Sequence, residues 1–450
     1  MKLMPHQITD AHFLAERAFA GCFNGMGSGK TLTSLEAAKI LEPARILIIA
    51  PPIALPMWRD VSADWLDCPS QILATGKAVI GPEPILVVSY EIATKRKDEL
   101  AEWAMSVVGD DPTILICDES HALKSTKAKR TKAILGRRGL CESFDYNWML
   151  TGTPVTRWND DIMPFLMRAA PHLIKRYCGA LTIDRFNLQF CIVQEKKFSG
   201  MRFPVKMTVG SKNEKLLGEI LSTVATRRTL ADVWDAMPAL TFTRYEVSLS
   251  NRSEIASMLK ALDKMTPAEI EKAMQSDDEA LATVRRQIGM GMVKDAAEFI
   301  IERIESGLPV IVGAWHTDVI DALYEEVKSY MGMKFRPAII DGRTSGARKE
   351  EITADWNDGK LDVIIGQIGA MGVSLNLQKG GNNIIVVEED WSPSIMDQFY
   401  ARLHRMGQEK AVHVDTLFAD TPLNKALTTI ANRKRRSHAV LGNAIEGKDL

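Results

Sequence analysis

The segment Asn24-Gly25-Met26-Gly27-Ser28-Gly29-Lys30-Thr31 brings together residue types that hold phosphate. Gly25, Gly27 and Gly29 let backbone N–H groups curl around an anion, and a helix that follows such a loop points its positive end at the ligand. In such a loop Lys30 reaches the β- and γ-phosphates of a nucleotide, and the Thr31 hydroxyl holds Mg2+. The strict pattern G-x-x-x-x-G-K-[ST] begins with glycine, where this chain has Asn24. An apolar run from Ala18 to Phe23 precedes the loop and a helix-like segment from Leu32 to Leu41 follows it, which is the strand-then-helix setting the chemistry needs.

A second group lies far along the chain. Cys117-Asp118-Glu119-Ser120-His121 follows an apolar run, and carboxylates at the carboxyl end of a parallel strand face the crevice where ligands bind. Asp118 is expected to bind Mg2+, directly or through water, and Glu119 to orient and deprotonate an attacking water. Phosphoryl transfer also needs positive charge on the γ-phosphate. Gln398, Arg402 and Arg405 are spaced i, i+4, i+7 and are expected to share one helix face.

These groups need elements to position them. Ile46–Ala50, Ile85–Val88 and Thr113–Cys117 are continuous apolar runs, as strands buried on both faces are. A second set follows at Val310–Val312, Ala338–Ile340, Asp362–Ile365, Ile384–Val387 and Val412–Val414, so two α/β sheets are expected. Residues from about 155 to 300 read as mostly helical. No low-complexity linker or fixed-period repeat is visible.

At 450 residues the chain is long enough for two or three domains. With 46% hydrophobic and 25% charged residues, the composition excludes a globally disordered, collagen-like or disulfide-scaffold protein. No apolar stretch is long enough for a membrane span, and the N-terminus does not read as a secretory signal. The six cysteines form no C-x-x-C pair, which argues against zinc and for a reducing compartment. Lys plus Arg is 56 against 57 Asp plus Glu, so any nucleic-acid surface must be a local concentration of charge. The best candidate is the stretch from Ala122 to Arg138, which holds Lys124, Lys127, Lys129, Arg130, Lys132, Arg137 and Arg138 and no acidic residue. Without interleaved aromatics, it would read backbone rather than sequence. The short run Asn432-Arg433-Lys434-Arg435-Arg436 reads as a solvated helix face rather than a nucleic-acid or targeting signal.

The motifs and their order resemble the Swi/Snf-type ATPases, a branch of the superfamily-two helicases. The resemblance covers nearly the whole chain. Pro5-His6-Gln7 is similar to the adenine-reading glutamine motif, with His6 where the family usually has tyrosine. Asn24 to Thr31 matches the family's own form of the phosphate loop. Ala50-Pro51-Pro52 through Trp58, Ser89-Tyr90-Glu91, Asp118-Glu119-Ser120-His121 and Leu150-Thr151-Gly152-Thr153-Pro154 follow in family order. Arg227-Arg228, Asp341-Gly342-Arg343-Thr344-Ser345, Ala370 to Leu377 and Gln398 to Gln408 complete the set. Met371 and Ser374 replace glycines around Gly372.

The resemblance implies two RecA-like α/β lobes, each a mostly parallel sheet flanked by helices. Lobe 1 is expected over 1–245, with a helical insertion at about 155–240, and lobe 2 over 246–450. ATP and Mg2+ are expected between them, with Gln7, Lys30, Thr31, Asp118 and Glu119 from lobe 1 and Gln398, Arg402 and Arg405 from lobe 2. Thr151 and Thr153 are expected to relay the nucleotide state to the nucleic-acid side. The implied activity is translocation on double-stranded DNA without strand separation, with a DNA-bound protein as cargo or obstacle. The motif layout, from residue 5 to about 410, leaves no large accessory reader domain in this chain and suggests a compact bacterial or phage member in the cytoplasm. The alternatives are a strand-separating helicase, for which no wedge is evident although a hairpin could hide between 180 and 210, and a non-hydrolysing DNA-binding scaffold.

Overall fold

Strands whose side chains are apolar on both faces can be buried only between two layers of helices, and the central strands of both sheets are built this way. The computed structural model describes residues 2–107, 109–196, 205–234, 237–275, 278–331, 336–372 and 375–446. The strands are β1 (Phe19–Cys22), β2 (Arg45–Ala50), β3 (Ser70–Leu73), β4 (Ile85–Ser89), β5 (Thr113–Asp118), β6 (Tyr146–Leu150), β7 (Cys191–Lys196), β8 (Val205–Ser211), β9 (Ala225–Thr226), β10 (Leu240–Glu246), β11 (Val310–Ala314), β12 (Pro337–Ile340), β13 (Val363–Gln367), β14 (Asn383–Val386) and β15 (Val412–Phe418). The chain divides into two compact units, Met1–Val233 with Arg436–Leu450, and Trp234–Arg435. The expected boundary at 245/246 falls at the end of β10, inside the second unit.

The first unit's sheet runs β3-β4-β2-β5-β6-β1-β9, with every pair parallel. Along β2, Leu47 and Ile49 enter one core while Ile46, Ile48 and Ala50 enter the core on the opposite face. β5 divides in the same way, Leu115 and Cys117 against Ile114 and Ile116. Both faces being apolar is why these strands read as continuous runs. Register decides what reaches the rim. Leu150 of β6 pairs with Cys22 of β1 on one side and Asp118 of β5 on the other. The loops after Cys22, Asp118 and Leu150 therefore leave the sheet at one level, at the carboxyl ends where α/β sheets bind ligands.

The second unit's sheet runs β10-β15-β14-β11-β13-β12, again all parallel. The same alternation holds: Val310 and Val312 face one core, Ile311 the other. The two-sheet architecture is thus the one expected.

The middle of the chain differs from the helical reading. β9 and β10 belong to the two main sheets, and β7 and β8 form a separate antiparallel pair with a bulge at Ile192/Val193. Isolated antiparallel strands between helices carry little periodic signal, because only a few residues of each are buried. The basic run near the C-terminus also differs. Lys434 is 1% exposed. Its Nζ lies 3.6 Å from the Trp391 ring centroid and 3.5 Å from a Glu271 carboxylate oxygen, and Glu271 also accepts from Arg433. Of the expected solvated face, at least this residue is part of the core, held by charge pairing and a ring face.

Candidate active site

The phosphate loop is fixed from both ends. Helix α1 (Pro5–Ala15) presents Gln7, whose Nε2 donates to the Gly29 carbonyl at 3.2 Å while its Oε1 accepts from the Met4 N–H at 2.8 Å. His6 Nε2 donates to the Ser28 carbonyl at 3.0 Å, so the histidine that stands in place of tyrosine contacts the loop itself. Helix α2 (Lys30–Leu41) begins directly after the loop. Gly27 and Gly29 have φ of 78° and 81°, the left-handed region that glycine alone enters at no cost. Lys30 Nζ donates to the Asn24 carbonyl at 3.0 Å and the Gly25 carbonyl at 3.1 Å. Thr31, the second residue of α2, is half-buried.

The acidic turn faces this lysine. Asp118 Oδ2 accepts from Trp58 Nε1 at 2.8 Å, and Oδ1 accepts from the Glu119 N–H at 2.9 Å. Trp58 lies on α3 (Leu55–Leu66) and is fully buried. Burial pushes the Asp118 carboxyl up to about 6, the neighbouring Glu119 charge adds to this, and the Trp58 hydrogen bond and Lys30 charge oppose it. Lys30 and Asp118 therefore share one electrostatic environment, although 88 residues separate them. Glu119 has a left-handed φ of 48°, which turns its carboxylate away from the strand line. His121 Nδ1 lies 3.2 Å from a Glu119 carboxylate oxygen and 3.1 Å from Thr151 Oγ1. Thr151 Oγ1 accepts from the Thr153 N–H at 3.1 Å. Gly152 abuts the phosphate loop: a Cβ there would sit 3.0 Å from the Met26 side chain. The threonine motif thus touches both the loop and, through His121, the acidic turn.

The loop and the acidic turn fit a magnesium nucleotide. The glycines cradle an anion, Ser28 Oγ is buried with no partner among the described residues, and a carboxylate and a hydroxyl are hard oxygen donors of the type Mg2+ takes.

Lys129 and Arg130 share an open cavity of about 760 Å³ with Pro51, Pro52, Tyr90, Glu119 and His121. Tyr90, on α4 (Tyr90–Lys95), donates its hydroxyl to the Asp118 carbonyl at 2.6 Å. The basic block is not one helix. It runs from a 3-10 turn at Ser120–Leu123 into α6, reckoned after α5 (Lys97–Met105), at Lys129–Leu135. Lys124, Lys127, Lys129, Arg130 and Lys132 are all exposed, and Lys124 Nζ donates to Thr156 Oγ1 at 2.8 Å.

In the second unit the expected shared helix face is replaced by a helix and a turn. The helix Pro393–Tyr400 carries Gln398 and ends before Arg402 and Arg405. Arg402 Nε donates to the Gln398 carbonyl at 3.0 Å, and the Arg402 N–H goes to the Phe399 carbonyl, three residues back, rather than to Gln398 as in a continuing helix. The two arginines still converge, since the Nη1 atoms of Arg402 and Arg405 donate to the Leu375 carbonyl at 3.2 and 3.3 Å. Arg405 also bonds the Asn376 side-chain oxygen. Both described partners of Arg405 are neutral, and burial alone lowers its pKa. Met371 is fully buried in the second unit's core, which accounts for a large side chain where the family has glycine; Ser374 lies outside the described residues.

Trp58 and Tyr90 were visible in the sequence only as motif members. Their hydrogen bonds to Asp118 span 60 and 28 residues, and no local pattern encodes them.

The chain is similar to known proteins over nearly its whole length. Residues 6–288 match the model of the SNF2-related domain, and residues 293–407 match the helicase conserved C-terminal domain. The SWI/SNF-related matrix-associated actin-dependent regulator of chromatin subfamily A-like protein 1 of Xenopus tropicalis is 24% identical over 459 residues, covering 98% of this chain and 45% of that protein. The DNA annealing helicase and endonuclease ZRANB3 of Mus musculus is 24% identical over 474 residues, covering 99% of this chain and 41% of that protein. The chain therefore spans less than half the length of these relatives. The Sulfolobus solfataricus SWI2/SNF2 ATPase core in complex with double-stranded DNA aligns at 19% identity and a TM-score of 0.42, covering 93% of this chain and 88% of that one. Among the described residues no helix is long and apolar enough to cross a membrane. With the family model matched over more than half of its residues, the chain belongs to the SNF2-related family.

Proposed function

We propose that this chain is a nucleic-acid-stimulated ATPase that translocates on double-stranded DNA without separating its strands. The observation that carries the reading is that Glu119, the candidate base, lines the same cavity as Lys129 and Arg130. A phosphate backbone held by those two cations lies within reach of the groups that set the base, which gives DNA a direct route to hydrolysis.

In this reading the loop from Gly25 to Thr31 takes the ATP phosphates, and Lys30 exchanges its two carbonyl partners for phosphate oxygens. Gln7 keeps the loop in register at Gly29. Thr31 and Asp118 would hold Mg2+, which when bound would supply positive charge to the phosphate oxygens. Glu119 takes the proton of the attacking water, and His121 steadies the carboxylate. Arg402 and Arg405 neutralise the charge that builds on the γ-phosphate. Arg405 suits that role because its described partners are neutral oxygens that an anion displaces readily. Cycles of ATP binding and hydrolysis that alternately tighten and release a held phosphate backbone would step the protein along DNA and displace proteins bound to it.

The antiparallel pair β7–β8 favours one second reading, a strand-separating helicase, since it falls in the stretch where a wedge hairpin could hide. The residues that join the two strands, 197–204, lie outside the described residues.

The test is the ATPase rate without nucleic acid, with single-stranded DNA, with duplex DNA and with duplex RNA. Duplex DNA should stimulate most, and equal rates in all four would remove the DNA-directed reading.

A further inference from the structure

Asn24 occupies the first position of the loop, where the strict phosphate-loop pattern has glycine, and its surroundings show a built arrangement. Asp10 and Asn24 are both fully buried. Asn24 Nδ2 donates to Asp10 Oδ2 at 2.7 Å. The same carboxylate accepts from Arg228, at 3.0 and 3.1 Å from Nε and 2.8 Å from Nη2. The Arg228 carbonyl accepts the Gly25 N–H at 2.8 Å. One residue from the paired-arginine segment thus grips the start of the loop twice, through Asp10 at the Asn24 side chain and directly at the Gly25 backbone. The two residues so held, Asn24 and Gly25, are the ones whose carbonyls receive Lys30 Nζ.

A buried carboxylate is tolerated only when it is paired and hydrogen-bonded, and Asp10 is both. Asn24 Oδ1, by contrast, is buried with no partner among the described residues. Leaving an acceptor unmet is costly, and glycine would avoid that cost and fit the loop. What the side chain gains in return is its contact with Asp10.

We infer that Asp10, Asn24 and Arg228 form a clamp that positions the phosphate loop, and with it Lys30, for nucleotide, with Asn24 as a positioning residue. The inference rests on the nucleotide-binding reading above. It predicts that Asn24→Gly, which recreates the strict pattern, weakens nucleotide binding.

The experiment is a titration of the full chain with a fluorescent N-methylanthraniloyl ADP in Mg2+, alongside thermal melting without nucleotide. Asn24→Gly should bind about tenfold more weakly, ~1.4 kcal/mol, while melting close to the parent. Arg228→Lys keeps a cation for Asp10 but loses the forked geometry, and should weaken binding in the same direction. It serves as the test if Asn24→Gly does not fold. A purely structural trio would do the opposite, lowering the melting temperature and leaving the affinity of the folded protein unchanged. Unchanged or tighter binding by Asn24→Gly, or by Arg228→Lys in its place, overturns the clamp alone. A parent that binds no nucleotide overturns the underlying reading as well.

Discussion

Trp58→Phe is a sharp probe of the acidic turn, because it removes one donor and leaves an aromatic ring in a fully buried position. The Trp58 Nε1 to Asp118 Oδ2 bond, at 2.8 Å, is one of two hydrogen bonds to this carboxylate, the other coming from the Glu119 N–H. Burial and the Glu119 charge push Asp118 up to about 6 despite them. A hydrogen bond to a charged group is worth about 1.5–3 kcal/mol, and one pH unit is ~1.36 kcal/mol. Losing the donor should therefore raise Asp118 by about one to two units. The acidic limb of kcat/KM for ATP, which reports the free enzyme, should move upward by that amount. At pH 7 the ionised fraction would fall from about nine-tenths to between about a half and a tenth, and the deficit should close as pH rises toward 9. Stability should respond with a definite sign. Asp118 binds its proton more tightly when folded than its ordinary value of 3.8, so its contribution is greatest in acid and is lost as pH rises through about 6. In the variant that loss should continue to higher pH. The assay is a steady-state ATPase profile from pH 5.5 to 9, with circular dichroism to confirm the fold. A folded Trp58→Phe protein whose acidic limb coincides with the parent's would refute the proposed control of Asp118.

Two further predictions separate the roles assigned to the site. Lys30→Ala should weaken nucleotide binding, because it removes a phosphate contact, whereas Glu119→Gln should keep binding and lose turnover; hydrolysis by Glu119→Gln at the parent rate would show that another group is the base. Reversing the charge at Lys127, Lys129 and Arg130 should weaken duplex binding and flatten its log–log salt dependence by about 0.9 for each DNA phosphate no longer neutralised, with nucleotide binding nearly unchanged. A salt slope equal to the parent's would make the block a solvated surface.

The parts legible in the sequence are those whose physics is local. β2, β4 and β5 were readable because strands buried on both faces are apolar throughout, and the phosphate loop because glycines, lysine and threonine act within eight consecutive residues. What was not legible depends on tertiary contact. After Tyr400 the chain turns, and Arg402 and Arg405 both donate to the Leu375 carbonyl, 27 and 30 residues away, which an i, i+4, i+7 spacing cannot reveal. Lys434 looked like part of a solvated run, since the acid and ring that bury it lie at Glu271 and Trp391. β9 and β10 were missed for another reason. β9 has two residues, and β10 is an edge strand with mostly exposed side chains, so neither shows the apolar run of a central strand.

If the site drives movement along duplex DNA, as proposed, displacement of a third strand will show it. A third strand bound in the major groove lies in the path of a motor that tracks the phosphate backbone, and its release requires no base pair of the duplex to open. With ATP, the parent protein should release the third strand and leave a forked duplex of similar length intact. Arg405→Ala should fail to release it, because the charge on the γ-phosphate would go unneutralised. Efficient ATP-dependent separation of the forked duplex would contradict the account and favour the strand-separating reading, and ATP hydrolysis with neither activity would contradict translocation itself.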